Sequence, residues 1–217
     1  MDYTAARINM VENQIRTNRV IDPAVTAALA EIPREVFVPK ALRACAYVDE
    51  DLDVGGGRVL PEPLVVARLL IGAGVTPSDV VLCIGDATGY VAAVLSKLAQ
   101  TVVSVECDAE WAARAGQSLS DLGIDNAAVV RGPLEQGYAA QAPYDVILFA
   151  GAVNEIPAGI CRQLADGGRL VSVLSTVPGR GKGTLVVRVG DTFGRRVLFD
   201  LAAPLLPGFE SKPKFVF

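Results

Sequence analysis

The sequence predicts an α/β fold: a doubly wound, mostly parallel sheet with a C-terminal antiparallel hairpin, preceded by an N-terminal helical cap. Three observations predict it. From residue 79 onward, short β-branched apolar runs alternate with helical segments, the pattern of βαβ units around a parallel sheet. The last run is followed by TLVVRVGDTFGRRVLFDLA, two strand-like stretches around a GDTFG turn, which breaks the alternation. Ahead of these runs the chain is more polar, helical and punctuated by proline. We place the cap at residues 1–60 and a Rossmann-like domain at residues 61–217.

Taken in order, Ile8, Val11 and Ile15 fall on one face of a first helix. Asp22-Pro23 supplies an N-cap and a proline at the first helical position, opening PAVTAALAEI. PREVFVPKALRACAY has the punctuation of a small cap. GGGRVLPEP, residues 55–63, can be neither a regular helix nor a central strand, because proline lacks the N–H and glycine forfeits entropy. PLVVARLLIGAG then reads as a helix. DVVLCIG, TVVSVEC, NAAVVRG, YDVILFAG and GRLVSVLS read as strands buried on both faces. Between them, YVAAVLSKLA, AEWAARAGQSLSDLG (with Asp108 as N-cap) and IPAGICRQLADGG read as helices.

Composition narrows the function. Apolar residues make up 51% of the 217 and the mean hydropathy is +0.38, so a substantial core is available. The longest apolar stretch is interrupted by Arg68 and is too short to span a bilayer, and the N-terminus lacks a signal-peptide core. A cytoplasmic protein without a membrane partner is expected. A net charge of −4 argues against nucleic acid as a partner. The basic clusters PGRGKG and GRR at 194–196 read as solvated hairpin tips. There is no histidine, which removes Ser-His-Asp and Cys-His chemistry and the commonest zinc ligand. Cys45, Cys83, Cys107 and Cys161 form no CxxC, so no metal site is expected and buried free thiols are. Nothing in the sequence sets the oligomeric state.

The first strand of the alternation runs into VLCIGDATGY, residues 81–90. Gly85 permits a tight turn, Ala87 is small enough to let a ligand approach, and Gly89 opens a helix whose N–H groups can face an anion. Glu106 ends the second strand, 21 positions after Gly85, where an acid accepts hydrogen bonds from ribose hydroxyls. Tyr90 stands where a dinucleotide fingerprint has its third glycine, and its bulk would obstruct close helix–strand packing. With the C-terminal hairpin, this favours an adenosyl ligand without a pyrophosphate, S-adenosylmethionine being the candidate.

Several stretches resemble the protein-L-isoaspartate O-methyltransferase family: MVENQIR, IPREVFVP at 32–39, AYVDEDLDVGGGRVLPEP at 46–63, VLCIGDATGY, VSVE, APYDVILFAGAVNEIP at 142–157 and LADGGRLV at 164–171. The resemblance implies a class I methyltransferase-like fold and esterification of the α-carboxylate of isoaspartyl residues in damaged proteins, with S-adenosylmethionine as cofactor. It implies cofactor binding by Gly85, Asp86, Ala87, Thr88, Gly89, Glu106, Cys107, Gly132, Pro133 and Leu134. It places Arg58, Val59 and Pro61 in the active-site segment.

Those three positions depart from the family pattern G-x-G-Q-T-I-S-Q-P. Arg58 replaces a Gln, Val59 a Thr and Pro61 a Ser, so two hydroxyls beside the substrate carboxylate are missing. Gly132-Pro133-Leu134 stands where the family has Gly-Asp-Gly, whose Asp contacts adenine. Asp86 adds a negative charge expected to lie beside the methionine moiety. Three readings follow. Arg58 takes over the hydroxyls' role by pairing with the carboxylate of an isoaspartyl protein or peptide; or the apolar wall suits an unknown small acceptor; or the chain keeps the fold without transfer.

Overall fold

A computed structural model describes residues 2–177 and 179–210. Met1, Pro178 and residues 211–217, which fall within the predicted domain limits and the PGRGKG cluster, lie outside the described residues. Helix α1 (Tyr3–Met10) is capped by Asp2, whose side chain accepts from the Ala5 N–H at 3.0 Å. A π-helical turn, Val11–Ile15, follows and rotates the face that a plain 3.6-residue period would continue. Ile8 is therefore 50% exposed, while Val11 and Ile15 are buried. Helix α2 (Pro23–Glu31) begins as its sequence predicts, with Asp22 accepting from the Val25 N–H at 2.9 Å.

GGGRVLPEP belongs to a two-stranded antiparallel ribbon, β1 (Leu52–Gly55) with β2 (Arg58–Leu60), which pairs with neither edge of the main sheet. Gly55, Gly56 and Gly57 all have positive φ, at 98°, 63° and 70°, so the reversal needs residues without a Cβ. Helix α3 (Pro63–Ala73) then leads to a seven-stranded sheet. Its strands are β3 (Val80–Ile84), β4 (Thr101–Glu106), β5 (Ala127–Arg131), β6 (Tyr144–Val153), β7 (Leu164–Val177), β8 (Arg180–Val189) and β9 (Thr192–Asp200).

The order is β5-β4-β3-β6-β7-β8-β9, parallel from β5 to β7 and antiparallel from β7 to β9. Winding runs both ways from β3, with β4 on one side and β6 on the other. The crevice at the carboxyl ends of β3 and β6 is thus the switch point where such sheets bind ligands. Helices α4 (Tyr90–Ser96) and α5 (Ala109–Asp121), the latter capped by Asp108 as predicted, connect the first strands. Alternate strand residues enter two cores. Val81, Cys83, Val146 and Leu148 face one, and Leu82, Ile84, Ile147 and Phe149 the other, which explains the unbroken apolar runs.

Three local expectations are corrected. IPAGICRQLADGG is mostly not helical: α6 covers only Ala158–Cys161, and β7 starts at Leu164 with a register shift before Arg169. Gly167, at φ 76°, and Gly168 suit that irregular strand start better than a helix. GRR at 194–196 lies within edge strand β9, the tip being Gly190-Asp191. Of the cysteines only Cys83 and Cys161 are buried; Cys45 is exposed and Cys107 partly so. No helix among the described residues is long and apolar enough to cross a membrane.

Candidate active site

Strand β3 ends at Ile84 and α4 begins at Tyr90, and every residue of the turn between them, Gly85–Gly89, is buried. Gly85 and Gly89 have φ of 83° and 84°. A Cβ on Gly89 would stand 3.2 Å from the Ala115 Cα, so helix α5 would have to give by a few tenths of an ångström to admit one. Asp86 points inward rather than toward a ligand. Its Oδ1 accepts from the Gly89 N–H at 3.1 Å and its Oδ2 from the Ala92 N–H at 2.8 Å. The Thr88 hydroxyl accepts from the Tyr90 N–H at 3.3 Å. These contacts occupy N–H groups of the first turn of α4 that the sequence left to an anion, and Asp86 does not sit in the open beside a methionine moiety. Desolvation pushes the Asp86 carboxyl up to about 6 despite those N–H donors. Ala87 is buried beside it.

Tyr90 does not obstruct the helix. Its ring packs edge-on against Phe37 at 5.6 Å and lies 4.8 Å below the Arg34 guanidinium. Arg34, fully buried, donates from Nε to the Ala46 carbonyl at 2.7 Å and from Nη2 to the Pro61 carbonyl at 2.6 Å. It ties the N-terminal region to the β1–β2 ribbon. Its motif, IPREVFVP, was visible in the sequence, but a charged residue at the centre of a core is not something periodicity reveals.

Glu106 ends β4 with its side chain wholly buried. Oε1 accepts from the Asp108 N–H at 3.0 Å and from the Cys107 thiol at 3.3 Å. Oε2 receives Arg58 Nη2 at 2.5 Å, and the same nitrogen donates to the Gly85 carbonyl at 3.0 Å. Arg58, 5% exposed, thus reaches from β2 onto both ligand-binding candidates, and its Nε is buried without a partner. Val59 pairs across the ribbon with Asp53 and is half-buried. Pro61 is buried and contributes its carbonyl to Arg34. The three residues of the segment therefore diverge: Arg58 turns to Glu106, while Pro61 anchors the ribbon.

Cys107, Gly132, Pro133 and Leu134 do converge. With Arg131, Glu135, Pro207 and Gly208 they line a cleft of about 540 Å³ beside Glu106. A second cleft, about 390 Å³, lies at the carboxyl ends of β6 and β7 between Asn154, Ser175–Val177 and Ala203–Leu205. The segment after β9 separates the two clefts. Ala152 N–H donates to the Pro204 carbonyl at 2.7 Å, Leu206 N–H to the Ala152 carbonyl at 2.9 Å, and Phe209 packs edge-on against Phe149. The Leu206 side chain covers Gly85 and Gly151, either of whose added Cβ would meet it at under 3.0 Å. Sequence reasoning missed this segment, since PLLPGF carries only proline punctuation. A larger cleft, about 840 Å³, runs along β8 and β9 at the opposite end of the sheet from Glu106.

The residues fit an adenosyl group. Glu106 is a buried carboxylate paired with Arg58 at the end of β4, the missing Cβ atoms of Gly85 and Gly89 let Leu206 and Ala115 pack directly on the turn beside it, and a cleft walled by Cys107, Gly132, Pro133 and Leu134 adjoins Glu106. No group of three or more His, Cys, Asp or Glu that could hold a metal occurs among the described residues.

Comparison with known proteins agrees with this geometry. Residues 6–185 match the family model described as protein-L-isoaspartate (D-aspartate) O-methyltransferase. The protein-L-isoaspartate O-methyltransferase of Koribacter versatilis (strain Ellin345) is 43% identical over 169 residues, 78% of this chain and 76% of the relative. A solved protein-L-isoaspartate O-methyltransferase superposes with a TM-score of 0.80 at 26% identity, covering 93% of this chain, which spans 66% of that one. A Plasmodium falciparum protein-L-isoaspartate O-methyltransferase in complex with S-adenosyl-L-homocysteine has the same fold, with a TM-score of 0.78 at 16% identity over 92% of this chain and 97% of the other.

Proposed function

This chain belongs to the protein-L-isoaspartate (D-aspartate) O-methyltransferase family, and from that premise we propose that it is an S-adenosylmethionine-dependent carboxyl methyltransferase acting on isoaspartyl residues of damaged proteins. The single observation that carries this reading is Glu106, a fully buried carboxylate at the carboxyl end of β4, beside the Gly85–Gly89 turn and the 540 Å³ cleft. When bound, S-adenosylmethionine supplies a methyl group on a sulfonium for a carboxylate oxygen. Every other part of the work falls to this chain.

Glu106 would accept the ribose hydroxyls, and Cys107 with Gly132, Pro133 and Leu134 would wall the adenine. Pro133 and Leu134 can offer packing but no side-chain hydrogen bond there, so the base would be held by shape rather than by a carboxylate. Leu206, packed directly on Gly85, would close the methionine end of the site. The acceptor would lie in the cleft of Asn154, Ser175 and Leu205. An isoaspartyl carboxylate with an ordinary pKa near 4 is already ionised at neutral pH, so a chain without histidine lacks nothing the reaction needs. Its task is to align nucleophile and methyl and to exclude water. In this reading residues 1–60 form a cap over the cofactor domain of residues 61–217, and free thiols at Cys83 and Cys161 suit a reducing cytoplasm.

Two measurements test the proposal. Calorimetric titration with S-adenosylhomocysteine is expected to show micromolar binding. Labelled methyl from S-adenosylmethionine is expected to enter an isoaspartyl peptide and not the same peptide with normal aspartate. Label in neither peptide, from a folded protein that binds S-adenosylhomocysteine, would overturn isoaspartyl methylation and leave another acceptor or a chain without transfer.

A further inference from the structure

Resting on the reading just given, we infer that Arg58 exchanges partners: it holds Glu106 and Gly85 in the ligand-free enzyme and turns to the acceptor carboxylate once ribose hydroxyls compete for Glu106. Arg58 Nη2 stands 2.5 Å from Glu106 Oε2, on the very acceptor that ribose requires. It also occupies the Gly85 carbonyl at 3.0 Å, at the turn a ligand must approach. With Arg58 on it the Glu106 side chain is wholly buried, so ribose reaches Oε2 only where the guanidinium gives way, and binding of one costs contacts to the other.

The contacts to Glu106 and Gly85 do not satisfy the whole guanidinium: Arg58 Nε is buried without a partner, a donor that a second carboxylate could meet. Its carrier is the β1–β2 ribbon, which pairs with neither edge of the seven-stranded sheet and reverses on three positive-φ glycines. A Cβ on Gly55 or Gly57 would touch nothing within 4 Å, although Gly56 between them lies against the Trp111 indole, so the exchange asks for movement of the Arg58 side chain and not of the main ladder.

The freed guanidinium has a destination. Val59 and Pro61 offer no side-chain donor to the substrate, and Pro61 has no N–H, so this segment needs another cationic or hydroxyl group to hold a carboxylate. Arginine's planar fork matches a carboxylate in two parallel hydrogen bonds. One side chain therefore links the two ligands: cofactor first displaces Arg58, and displaced Arg58 completes the acceptor site. The coupling is reciprocal, and interactions of this kind typically change affinity by about 5–150-fold.

The experiment is a calorimetric cycle on the full chain with S-adenosylhomocysteine and an isoaspartyl peptide as probes. The peptide is expected to bind at least about tenfold more tightly when S-adenosylhomocysteine is saturating, a factor within the usual range of coupling. In Arg58→Gln that gain disappears, while S-adenosylhomocysteine itself binds about fivefold or more tightly, because the competitor for Glu106 has gone. Equal peptide affinity with and without S-adenosylhomocysteine overturns the exchange, as does weaker S-adenosylhomocysteine binding to folded Arg58→Gln. Should that variant not fold, Arg58→Lys keeps a charge for Glu106 but loses the fork. Its expected result is near-normal S-adenosylhomocysteine binding with the peptide gain lost, and an unaltered gain overturns the exchange. If wild-type protein fails to bind S-adenosylhomocysteine at all, the methyltransferase reading falls and takes the exchange with it. Binding without coupling removes the exchange alone.

Discussion

Asp86 is a carboxylate placed where water cannot reach it, and its effect on stability has a definite sign. Burial lifts its folded-state pKa from 3.8 to about 6, with the Gly89 and Ala92 N–H groups pulling the other way and Glu106 adding repulsion. Between those two values the folded state binds a proton that the unfolded chain has released. Stability therefore falls as pH rises through this window, and the whole penalty is in place above about pH 6. A gap of that size corresponds to about 3 kcal/mol at 1.36 kcal/mol per unit. Asp86→Asn keeps an acceptor for Gly89, gives up the one for Ala92, and carries no charge at any pH. Urea unfolding at pH 4 and pH 7 is expected to show the variant gaining about 2 kcal/mol relative to wild type across the interval, since part of the penalty is already present at pH 4. A pH-independent difference would mean that Asp86 titrates as an ordinary surface acid.

At the scale of elements, what was legible depended on whether the cause was local. The Asp22-Pro23 and Asp108 caps, the strands from β3 to β6 and the β8–β9 hairpin follow from capping chemistry and apolar runs a few residues long. The π turn after α1 and the truncation of α6 do not, because neither departs from an apolar period that a regular helix would also show. The same division separates two glycines with alike backbones. Gly57 and Gly89 have φ of 70° and 84°, so either would be strained by a side chain, at roughly 1–2 kcal/mol. Only at Gly89 would the Cβ also press on α5, 3.1 Å from the Ala115 Cβ and 3.2 Å from its Cα. Gly57→Ala is expected to cost about 1–2 kcal/mol by thermal unfolding and to leave S-adenosylhomocysteine affinity intact. Gly89→Ala should cost more than that and also weaken S-adenosylhomocysteine, since α5 must move away from the turn that frames the site. Similar losses for the two would show that backbone conformation alone, and not the close approach of α5, makes glycine necessary at 89.

Across the whole molecule, sequence reasoning reached the part of the candidate site carried on strand ends, Gly85–Gly89 and Glu106, because their spacing is a consequence of the βαβ unit itself. It did not find the half supplied by the chain's return after β9, where Pro204, Leu206 and Phe209 cross the carboxyl ends of β3 and β6. No period or motif announces a segment whose role comes only from where the sheet delivers it. Two neighbours in it are expected to behave oppositely. Leu206 is 4% exposed and wedged against Gly85 and Gly151, so Leu206→Ala opens a void in the core and should cost about 2–4 kcal/mol of stability. Leu205 is 42% exposed and lines the cleft with Asn154 and Ser175. Leu205→Ala should change stability by about 0.5 kcal/mol or less, as exposed substitutions do. If the acceptor lies in that cleft, the same variant raises KM for an isoaspartyl peptide several-fold while S-adenosylhomocysteine binding stays unchanged, a pattern that marks lost acceptor binding alone. An unchanged KM would move the acceptor out of this cleft, and the segment would then serve the cofactor side only, through Leu206.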